Sequence, residues 1–222
     1  MQYVYHPKAG ESSLDVDVRE YEHLFKVRRS VCGDIVQLRN LRDHFLYDYK
    51  IVSVGKKNAL FECVASNESA VLPLKNVHVG WCVIDPKLIE KTLPMLNELG
   101  VAKLSFIYAE FSQKNHKLDF ERMQRILINS SQQCGRTTLM ELETFASLKE
   151  FLEMYPKTVV IDFSEKKLEE CEDINSVLIG PEGGFSVKER ALYAKHPIYG
   201  LKCNTILRSE TAVIASVSKI LA

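Results

Sequence analysis

The chain has 222 residues, of which 46% are hydrophobic and 26% are charged, proportions typical of a globular protein of one or two domains. The 29 basic and 29 acidic residues cancel, so the net charge does not by itself indicate a polyanionic partner. The six cysteines include no Cys-x-x-Cys pair, which argues against a zinc site or a disulfide framework and predicts reduced thiols in a cytoplasm. We expect neither a membrane span nor a signal peptide, because no apolar run is long enough and the first residues lack the basic-then-apolar pattern.

Residues 1 to about 70 have the pattern of a small β-domain. Asp34–Arg39, Phe45–Val54 and Ala59–Val64 alternate apolar and polar residues, and turn residues separate them. A helix is predicted over Val18–Val27. Short strands at this spacing indicate a small barrel.

From Pro73 onward, strands alternate with helices. Pro86 at a first helical position and Gly100 after a last one are start and stop signals of the first helix. This alternation predicts a mostly parallel sheet covered on both faces, with ligands bound beyond the carboxyl ends of the strands. Strands are predicted at 77–84, 104–108, 158–162, 176–179 and 198–201, helices at 86–99, 120–133 and 209–221, and core aromatics at Trp81, Tyr108 and Phe163.

A glycine-rich segment at 180–184, Gly-Pro-Glu-Gly-Gly, follows a predicted buried strand. Ser186 and Glu189 then have the spacing of a helix capping box. A strand, a glycine-rich turn and a helix start bring bare backbone N–H groups close to a ligand, although an ordinary strand-to-helix turn has the same pattern. Neither a P-loop nor a Gly-x-Gly-x-x-Gly fingerprint is present.

A second segment, Ile206–Ala212, opens the last predicted helix. Ser209 is the expected N-cap, and Glu210 complements the helix dipole in the first turn. Arg208 precedes the helix, where a cation does not stabilise the fold. A functional role for Arg208 is therefore indicated, the alternative being a side chain that simply reaches into solvent.

Together, Gly180–Ser186 and Ile206–Ala212 resemble the motifs of the RsmE family, methyltransferases that act on N3 of a uridine in 16S ribosomal RNA with S-adenosylmethionine. Asn97–Val101 and Ser131–Arg136 resemble two further segments of that family, and His23–Asp34 resembles its entry into an N-terminal barrel. The resemblance covers the whole chain in order.

The resemblance implies a particular fold. Residues 73–222 would form a SPOUT-type α/β methyltransferase domain whose chain threads a deep trefoil knot, an exception to the rule that chains do not knot. The knot would hold the cofactor and form a homodimer interface. Residues 1–70 would form a PUA-like β-barrel that binds RNA.

The resemblance also implies how the cofactor is held and why no metal is expected. The sulfonium of S-adenosylmethionine already activates the methyl group, so the protein mainly has to align donor and acceptor. The residues expected to bind the cofactor are Leu178, Ile179, Gly180, Pro181, Gly183, Gly184, Leu201, Ile206, Leu207, Thr211 and Ala212.

The acceptor N3 carries a proton that must leave before methyl transfer. Arg208 is the candidate to stabilise the resulting anion, since a guanidinium can donate two hydrogen bonds to it. Glu182 or Glu210 is the candidate base. For Glu210 the alternative is a purely dipole-stabilising role, which its position in the first helical turn favours over catalysis.

The chain between Lys26 and Lys57 has eight basic and three acidic residues, a balance that suits phosphate contacts or a solvated face of mixed charge. The partner is expected to be 16S rRNA in the small ribosomal subunit. The candidate RNA contacts are Arg28, Arg29, Arg39, Lys56, Lys114 and Arg136.

The chain departs from the family pattern at three places. Cys203 replaces a glycine ahead of Ile206, Gln132 replaces a glutamate and so receives no acid–base role, and Phe111–Lys114 replaces an Arg-Ser pair. The alternative function is a catalytically silent rRNA-binding protein that keeps the barrel and uses the α/β part for dimerisation. The intact Gly180–Gly184 and Arg208–Ala212 segments argue against it.

Overall fold

The computed structural model describes residues 2–112, 117–171 and 173–222. The chain divides into two units, the first comprising the chain up to Leu72 and Ser131–Leu139, the second Pro73–Ser130 and Met140–Ala222. The sequence did not predict that residues 131–139 would belong to the first unit. Hydrogen bonds explain it, because the amide of Gln2 donates to the carbonyl of Gln132 at 2.8 Å and the hydroxyl of Tyr3 donates to the carbonyl of Arg136 at 2.5 Å.

The first unit contains a five-stranded sheet in the order β1-β3-β4-β5-β2, antiparallel except for the parallel β1–β3 pair. Side chains at alternate positions along its strands point into the core, where Leu38, Ile51 and Phe61 are fully buried. Two register shifts between β4 and β5 curl the sheet. The strands are β1 (Val4–Tyr5), β2 (Ser13–Asp17), β3 (Ile35–Arg39), β4 (Phe45–Val54) and β5 (Asn58–Glu68).

The helix predicted over Val18–Val27 is wrong. The amide of Val18 donates to the carbonyl of Lys57 at 2.7 Å, so the chain is still paired with its neighbouring strand where the helix was expected to start. Only a single turn of π-helix forms, at His23–Val27, and it buries Leu24. Strand pairing therefore overrides the local helical pattern.

The second unit is built on a six-stranded sheet in the order β11-β9-β10-β6-β7-β8, in which every pair is parallel. All residues of β6 are buried, as expected for a central strand covered on both faces. The predicted parallel sheet is confirmed. The strands are β6 (His78–Cys82), β7 (Lys103–Ile107), β8 (Glu141–Phe145), β9 (Val159–Ile161), β10 (Ser176–Ile179) and β11 (Ile198–Tyr199).

Helices connect these strands, with a short 3₁₀ turn at Leu168–Glu170. Pro86 and Gly100 act as predicted: Pro86 begins the first helix, and Gly100 ends it in a left-handed conformation with φ 97°. The sequence missed β8 and α3, since Glu141–Phe145 is partly polar and lies at a sheet edge. No helix within the described residues is both long and apolar enough to span a bilayer. The helices are α1 (Pro86–Leu99), α2 (Phe120–Cys134), α3 (Leu148–Met154), α4 (Val187–Leu192) and α5 (Ser209–Leu221).

Candidate active site

A cavity of about 380 Å³ opens in the second unit at the carboxyl ends of β9 and β10. Segments from 161–167, 179–185 and 200–212 line it, together with Arg190. This is the edge at which open parallel sheets bind ligands, and the volume suits a small molecule. The position expected from the sequence is therefore the position of the cavity.

The glycines of the 180–184 loop are required by the geometry. Gly184 has φ 69°, in the left-handed region, and its amide donates to the carbonyl of Pro181 at 2.9 Å to close the turn. A Cβ atom on Gly180 would lie 2.9 Å from the ring of Phe185. Side chains at these positions would either strain the turn or displace the aromatic ring, so the loop presents backbone to the cavity.

The helix after this loop begins with the predicted capping box. The amide of Glu189 donates to Oγ of Ser186 at 3.2 Å, and the amide of Ser186 donates to Oε2 of Glu189 at 3.0 Å. The second carboxylate oxygen of Glu189 accepts from the amide of Glu110 at 2.9 Å. The buried Glu189 carboxylate thus also fixes the loop that follows β7, a contact that the sequence did not reveal.

Ser209 joins the two motif segments. Its hydroxyl donates to the carbonyl of Gly180 at 2.6 Å and accepts from the indole N–H of Trp81 at 2.8 Å. Its prediction as the N-cap is wrong, because Arg208 occupies the N-cap position and Ser209 is the first helical residue. The serine side chain stabilises the contact between loops instead of the helix end.

Most residues predicted to bind the cofactor line this one cavity. Leu178 does not, because its side chain is fully buried in the hydrophobic core beneath the sheet edge. Thr211 is exposed on α5 and is not part of the cavity wall either. The predicted residues that do line it are Ile179, Gly180, Pro181, Gly183, Gly184, Leu201, Ile206, Leu207 and Ala212.

The three catalytic candidates lie in the same two segments. Glu182 is exposed and lines the cavity, and Arg208 is exposed at the N-cap of α5. Glu210 follows in the first turn, and its Oε2 is buried without a hydrogen-bond partner among the described residues. Leaving a buried acceptor unpaired costs about 1–3 kcal/mol, more than a helix-dipole contact typically returns. A role beyond stabilising the dipole is therefore favoured for Glu210.

The sequence missed a polar cluster in the cavity wall. Asp162, just beyond β9, has a side chain only 8% exposed, and it forms an ion pair with Arg190. The hydroxyl of Tyr193 donates to Oδ2 of Asp162 at 2.6 Å, and burial together with this bond raises the pKa of Tyr193. An acidic residue directly after an apolar strand, at the ligand-binding edge, was the signal that identifies Asp162.

Phe163 was predicted as a core aromatic, and that prediction is wrong. Its side chain is 78% exposed and lines the cavity. β9 ends at Ile161, two residues before Phe163, so Phe163 lies beyond the end of the strand. Trp81, by contrast, is fully buried as predicted.

Comparison with known proteins identifies the family. Residues 71–221 match the model of an RNA methyltransferase domain, and residues 16–62 match that of an RNA methyltransferase PUA domain. The ribosomal RNA small subunit methyltransferase E of Helicobacter pylori is 45% identical to this chain, over 99% of this chain and 100% of its own length. The chain belongs to the ribosomal RNA small subunit methyltransferase E family. The resemblance predicted from the two motif segments is confirmed.

Solved structures share the fold of this methyltransferase E family member. A Thermotoga maritima protein described as a predicted RNA methyltransferase is 26% identical, with a TM-score of 0.79 over 100% of this chain and 97% of its own. The ribosomal RNA small subunit methyltransferase E of Neisseria gonorrhoeae, bound to S-adenosyl methionine, has a TM-score of 0.83 at 20% identity, over 99% and 96% of the two chains. The mixed α/β fold with an N-terminal PUA domain is thereby established.

The predicted RNA contacts of this family member differ in exposure. Arg28, Arg29 and Lys56 lie on the surface of the first unit. Arg39 and Arg136 are buried in that unit, which corrects the expectation that their guanidinium groups are presented to RNA. Arg39 lies over the ring of Tyr3, 5.4 Å from its centroid, so its role in the observed conformation is packing. Lys114 lies outside the described residues.

The structure shows what two of the residues that depart from the family pattern, Cys203 and Gln132, contact. Cys203 is exposed and lines the cavity, and hydrogen bonds with Thr205 lower the pKa of its thiol. The side chain of Gln132 accepts from the amide of Tyr5 at 2.8 Å and so stabilises the first unit. The described residues contain no group of three or more His, Cys, Asp or Glu side chains placed to hold a metal ion.

Proposed function

We propose that this protein is an enzyme that methylates N3 of a specific uridine in the 16S rRNA of the small ribosomal subunit, with S-adenosylmethionine as methyl donor. The observation that carries the proposal is that one cavity is lined by the Gly180–Gly184 loop and by Ile206, Leu207, Ser209 and Ala212 of the second segment. Relatives with this fold support it, since the Helicobacter pylori protein is a ribosomal RNA small subunit methyltransferase and the Neisseria gonorrhoeae protein was solved with S-adenosyl methionine bound.

The residues of the cavity fit this cofactor. Ile179, Leu201 and Leu207 supply apolar surface for an adenosine, and the backbone of the 180–184 loop supplies N–H and C=O groups for its polar edge. Asp162 and Arg190 supply opposite charges that suit the amino and carboxylate groups of a methionine moiety. When bound, S-adenosylmethionine supplies an activated methyl group, and the chain's task is alignment.

The chain's own side chains then deal with the proton on N3 of the uridine. Arg208 donates hydrogen bonds to the uracil anion, stabilising charge spread over its oxygens. Glu210 or Glu182 accepts the N3 proton. Oε2 of Glu210 is buried without a hydrogen-bond partner among the described residues, which favours Glu210 for this task.

RNA binding is assigned to residues 1–70 and methyl transfer to residues 73–222. The exposed Arg28, Arg29 and Lys56 contact phosphates in this proposal, and Lys114 remains a candidate. The target uridine leaves its stack to reach the cavity, which costs little in an irregular rRNA region. The reaction takes place in the cytoplasm, where ribosomal RNA lies, without a membrane or a metal ion.

The finer fold that accompanies this function is a SPOUT-type trefoil knot, with a PUA-like β-barrel before it. The strand order supports the knot. β11 lies at the sheet edge beyond β9, yet α5, the next helix, packs against α1, which follows β6. The chain between β11 and α5 therefore crosses the ends of β9 and β10, as a threaded segment does. The homodimer that this family resemblance implies would form through the knotted domain.

A catalytically silent rRNA-binding protein is not favoured. Such a protein would not need to keep Gly180, where a Cβ atom would lie 2.9 Å from the ring of Phe185, or Gly184 in its left-handed conformation. Calorimetry with S-adenosylmethionine separates the two functions, because only the methyltransferase binds it. Mass spectrometry of 16S rRNA from cells lacking the protein then tests the product, and a complete set of uracil ring methyl groups in those cells would refute the proposal.

A further inference from the structure

An aromatic side chain lies exposed on the outer side of the glycine-rich loop. Phe111 is 55% exposed, although it belongs to a short turn directly after β7. A Cβ atom on Gly183 would lie 3.2 Å from Cβ of Phe111 and 3.6 Å from its Cγ. Phe111 therefore packs on bare backbone of a loop that lines the cofactor cavity.

The backbone on both sides of Phe111 is fixed by hydrogen bonds. The amide of Glu110 donates to the buried carboxylate of Glu189 at 2.9 Å. Ser112 closes the turn, since its amide donates to the carbonyl of Ala109 at 3.1 Å and its hydroxyl accepts from the amide of Ala109 at 3.1 Å. The turn thus fixes the backbone from which the exposed Phe111 side chain extends.

A half-exposed phenyl ring gains only part of the stabilisation of a buried one. What distinguishes Phe111 is its position, since it packs against a loop that lines the cofactor cavity. A Cβ atom on Gly183 would press on Cβ of Phe111, so a larger residue there would shift Phe111 by a few tenths of an ångström. The turn therefore places an exposed aromatic ring beside the cavity loop.

We infer that Phe111 stacks on the uracil ring of the flipped target uridine and holds it against the cavity mouth. This inference rests on the proposed function and names the group that binds its acceptor. Enzymes that act on a base unstack it and bind it between aromatic or apolar side chains. Each such stack contributes about 1–3 kcal/mol.

The inference assigns different ligands to Phe111 and Phe163, two exposed phenylalanines that both lie beside the cavity loops. Phe163 lines the cavity wall itself and so faces the cofactor, whereas Phe111 contacts only the outer side of the loop. Loss of the Phe163 ring should weaken S-adenosylmethionine binding. Loss of the Phe111 ring should leave that binding unchanged and lower only kcat/KM for the RNA substrate.

The test compares Phe111→Ala, Phe111→Trp and Phe163→Ala with the wild-type protein. Met154→Ala, which truncates an exposed apolar side chain at the end of α3, is the matched control. Calorimetry measures S-adenosylmethionine affinity, and kcat/KM is measured on small ribosomal subunits purified from cells lacking the protein. We expect Phe111→Ala to lose about 5- to 150-fold in kcat/KM with unchanged cofactor affinity. Phe111→Trp and Met154→Ala should stay within a few-fold of wild type.

The outcomes separate the inference from the proposed function. If the wild-type protein methylates the subunits and Phe111→Ala does so equally well, the stacking role is wrong and the proposed function stands. A Phe111→Ala protein that loses cofactor binding also overturns the inference, since Phe111 then belongs to the cofactor site. A wild-type protein that binds no S-adenosylmethionine overturns both. If the substrate subunit quenches the indole fluorescence of the Phe111→Trp variant more than that of the wild-type protein, whose one indole is the buried Trp81, direct stacking is supported.

Discussion

The hydroxyl of Ser209 donates to the carbonyl oxygen of Gly180 at 2.6 Å, and the two residues are 29 positions apart in the chain. The indole of Trp81, on the central strand β6, donates to the same hydroxyl. One buried side chain therefore fixes the distance between the loop after β10 and the start of α5. The cavity depends on this distance, because both segments supply its walls.

Ser209→Ala should destabilise the protein by about 2 kcal/mol, since it leaves a buried carbonyl and a buried indole N–H without their partner. It should also weaken S-adenosylmethionine binding, because the two loops lose their link. Denaturant unfolding and calorimetry measure the two effects. Ser218→Ala, on the same helix, is the control and should change neither quantity by a comparable amount. Equal behaviour of the two variants would show that the link is dispensable.

Removing the guanidinium at position 208 should slow catalysis without affecting cofactor binding. Arg208→Ala is expected to lower kcat about 100-fold or more, in the range found when one donor to a developing anion is removed. Single-turnover methylation assays with saturating S-adenosylmethionine measure this. Lys188→Ala, which removes an exposed cation from α4, is the control. A normal rate for Arg208→Ala would mean that Arg208 merely reaches into solvent.

The two candidate bases can be told apart by amide substitutions. Glu210→Gln and Glu182→Gln keep the size of the side chain and remove its ability to accept a proton. The variant that lacks the base should show a kcat about 100-fold or more below that of the wild type. The other variant should show no such loss. We expect the large loss at Glu210, because its Oε2 lies buried without a partner among the described residues. A large loss at Glu182 alone would reverse the assignment.

Replacing Asp162 and replacing Arg190, which form an ion pair, should lower the free energy of unfolding by different amounts. The Asp162 side chain is 8% exposed and that of Arg190 is 45% exposed. Asp162→Ala should therefore cost about 2–3 kcal/mol, since Tyr193 also loses its buried acceptor, whereas Arg190→Ala should cost less than about 1 kcal/mol. Urea unfolding measures both. Equal losses would mean that the ion pair itself, and not the buried carboxylate, carries the stability.

Stability should decline on acidification because of His78. Burial lowers the pKa of His78 to about 4, from an unfolded value of 6.5. Its Nε2 lies 2.6 Å from Oγ of Ser105, and the titratable groups around it are Lys103, Glu143 and Tyr155. Between pH 6.5 and 4 the unfolded chain binds a proton that the folded protein does not. The free energy of unfolding should therefore fall by about 2 kcal/mol between pH 7 and pH 5.

The contribution of His78 can be isolated by substitution. Burial would raise the pKa of Glu143, but hydrogen bonds from Ser105, Lys103 and Tyr155 lower it below its usual value, so Glu143 titrates only at more acid pH. His78→Gln should therefore flatten the decline between pH 7 and pH 5. His196→Gln, which alters a histidine near the surface of the same unit, should not. A profile that His78→Gln leaves unchanged would assign the acid sensitivity elsewhere.

Local signals at the ends of two helices predicted local structure correctly. Pro86 and Gly100 bound α1, and Ser186 with Glu189 form the capping box of α4, because such signals act through backbone conformation and bonds to near neighbours. The alternation of strands and helices likewise predicted the parallel sheet. The glycine-rich segment was predicted to lie at the ligand-binding edge, because it directly follows a strand of that sheet and so lies at the carboxyl end of the strand.

Contacts between distant residues were decided only by the tertiary structure. The pairing of Val18 with Lys57 cancelled a predicted helix, and the burial of Arg39 and Arg136 removed two expected RNA contacts from the surface. The sequence determined that glycines and apolar residues of the two motif segments would line the cavity, because such segments form turns that expose backbone to a ligand. It did not determine that Phe163 would line it, because the exposure of that side chain depends on how the segments at 161–167, 179–185 and 200–212 pack together.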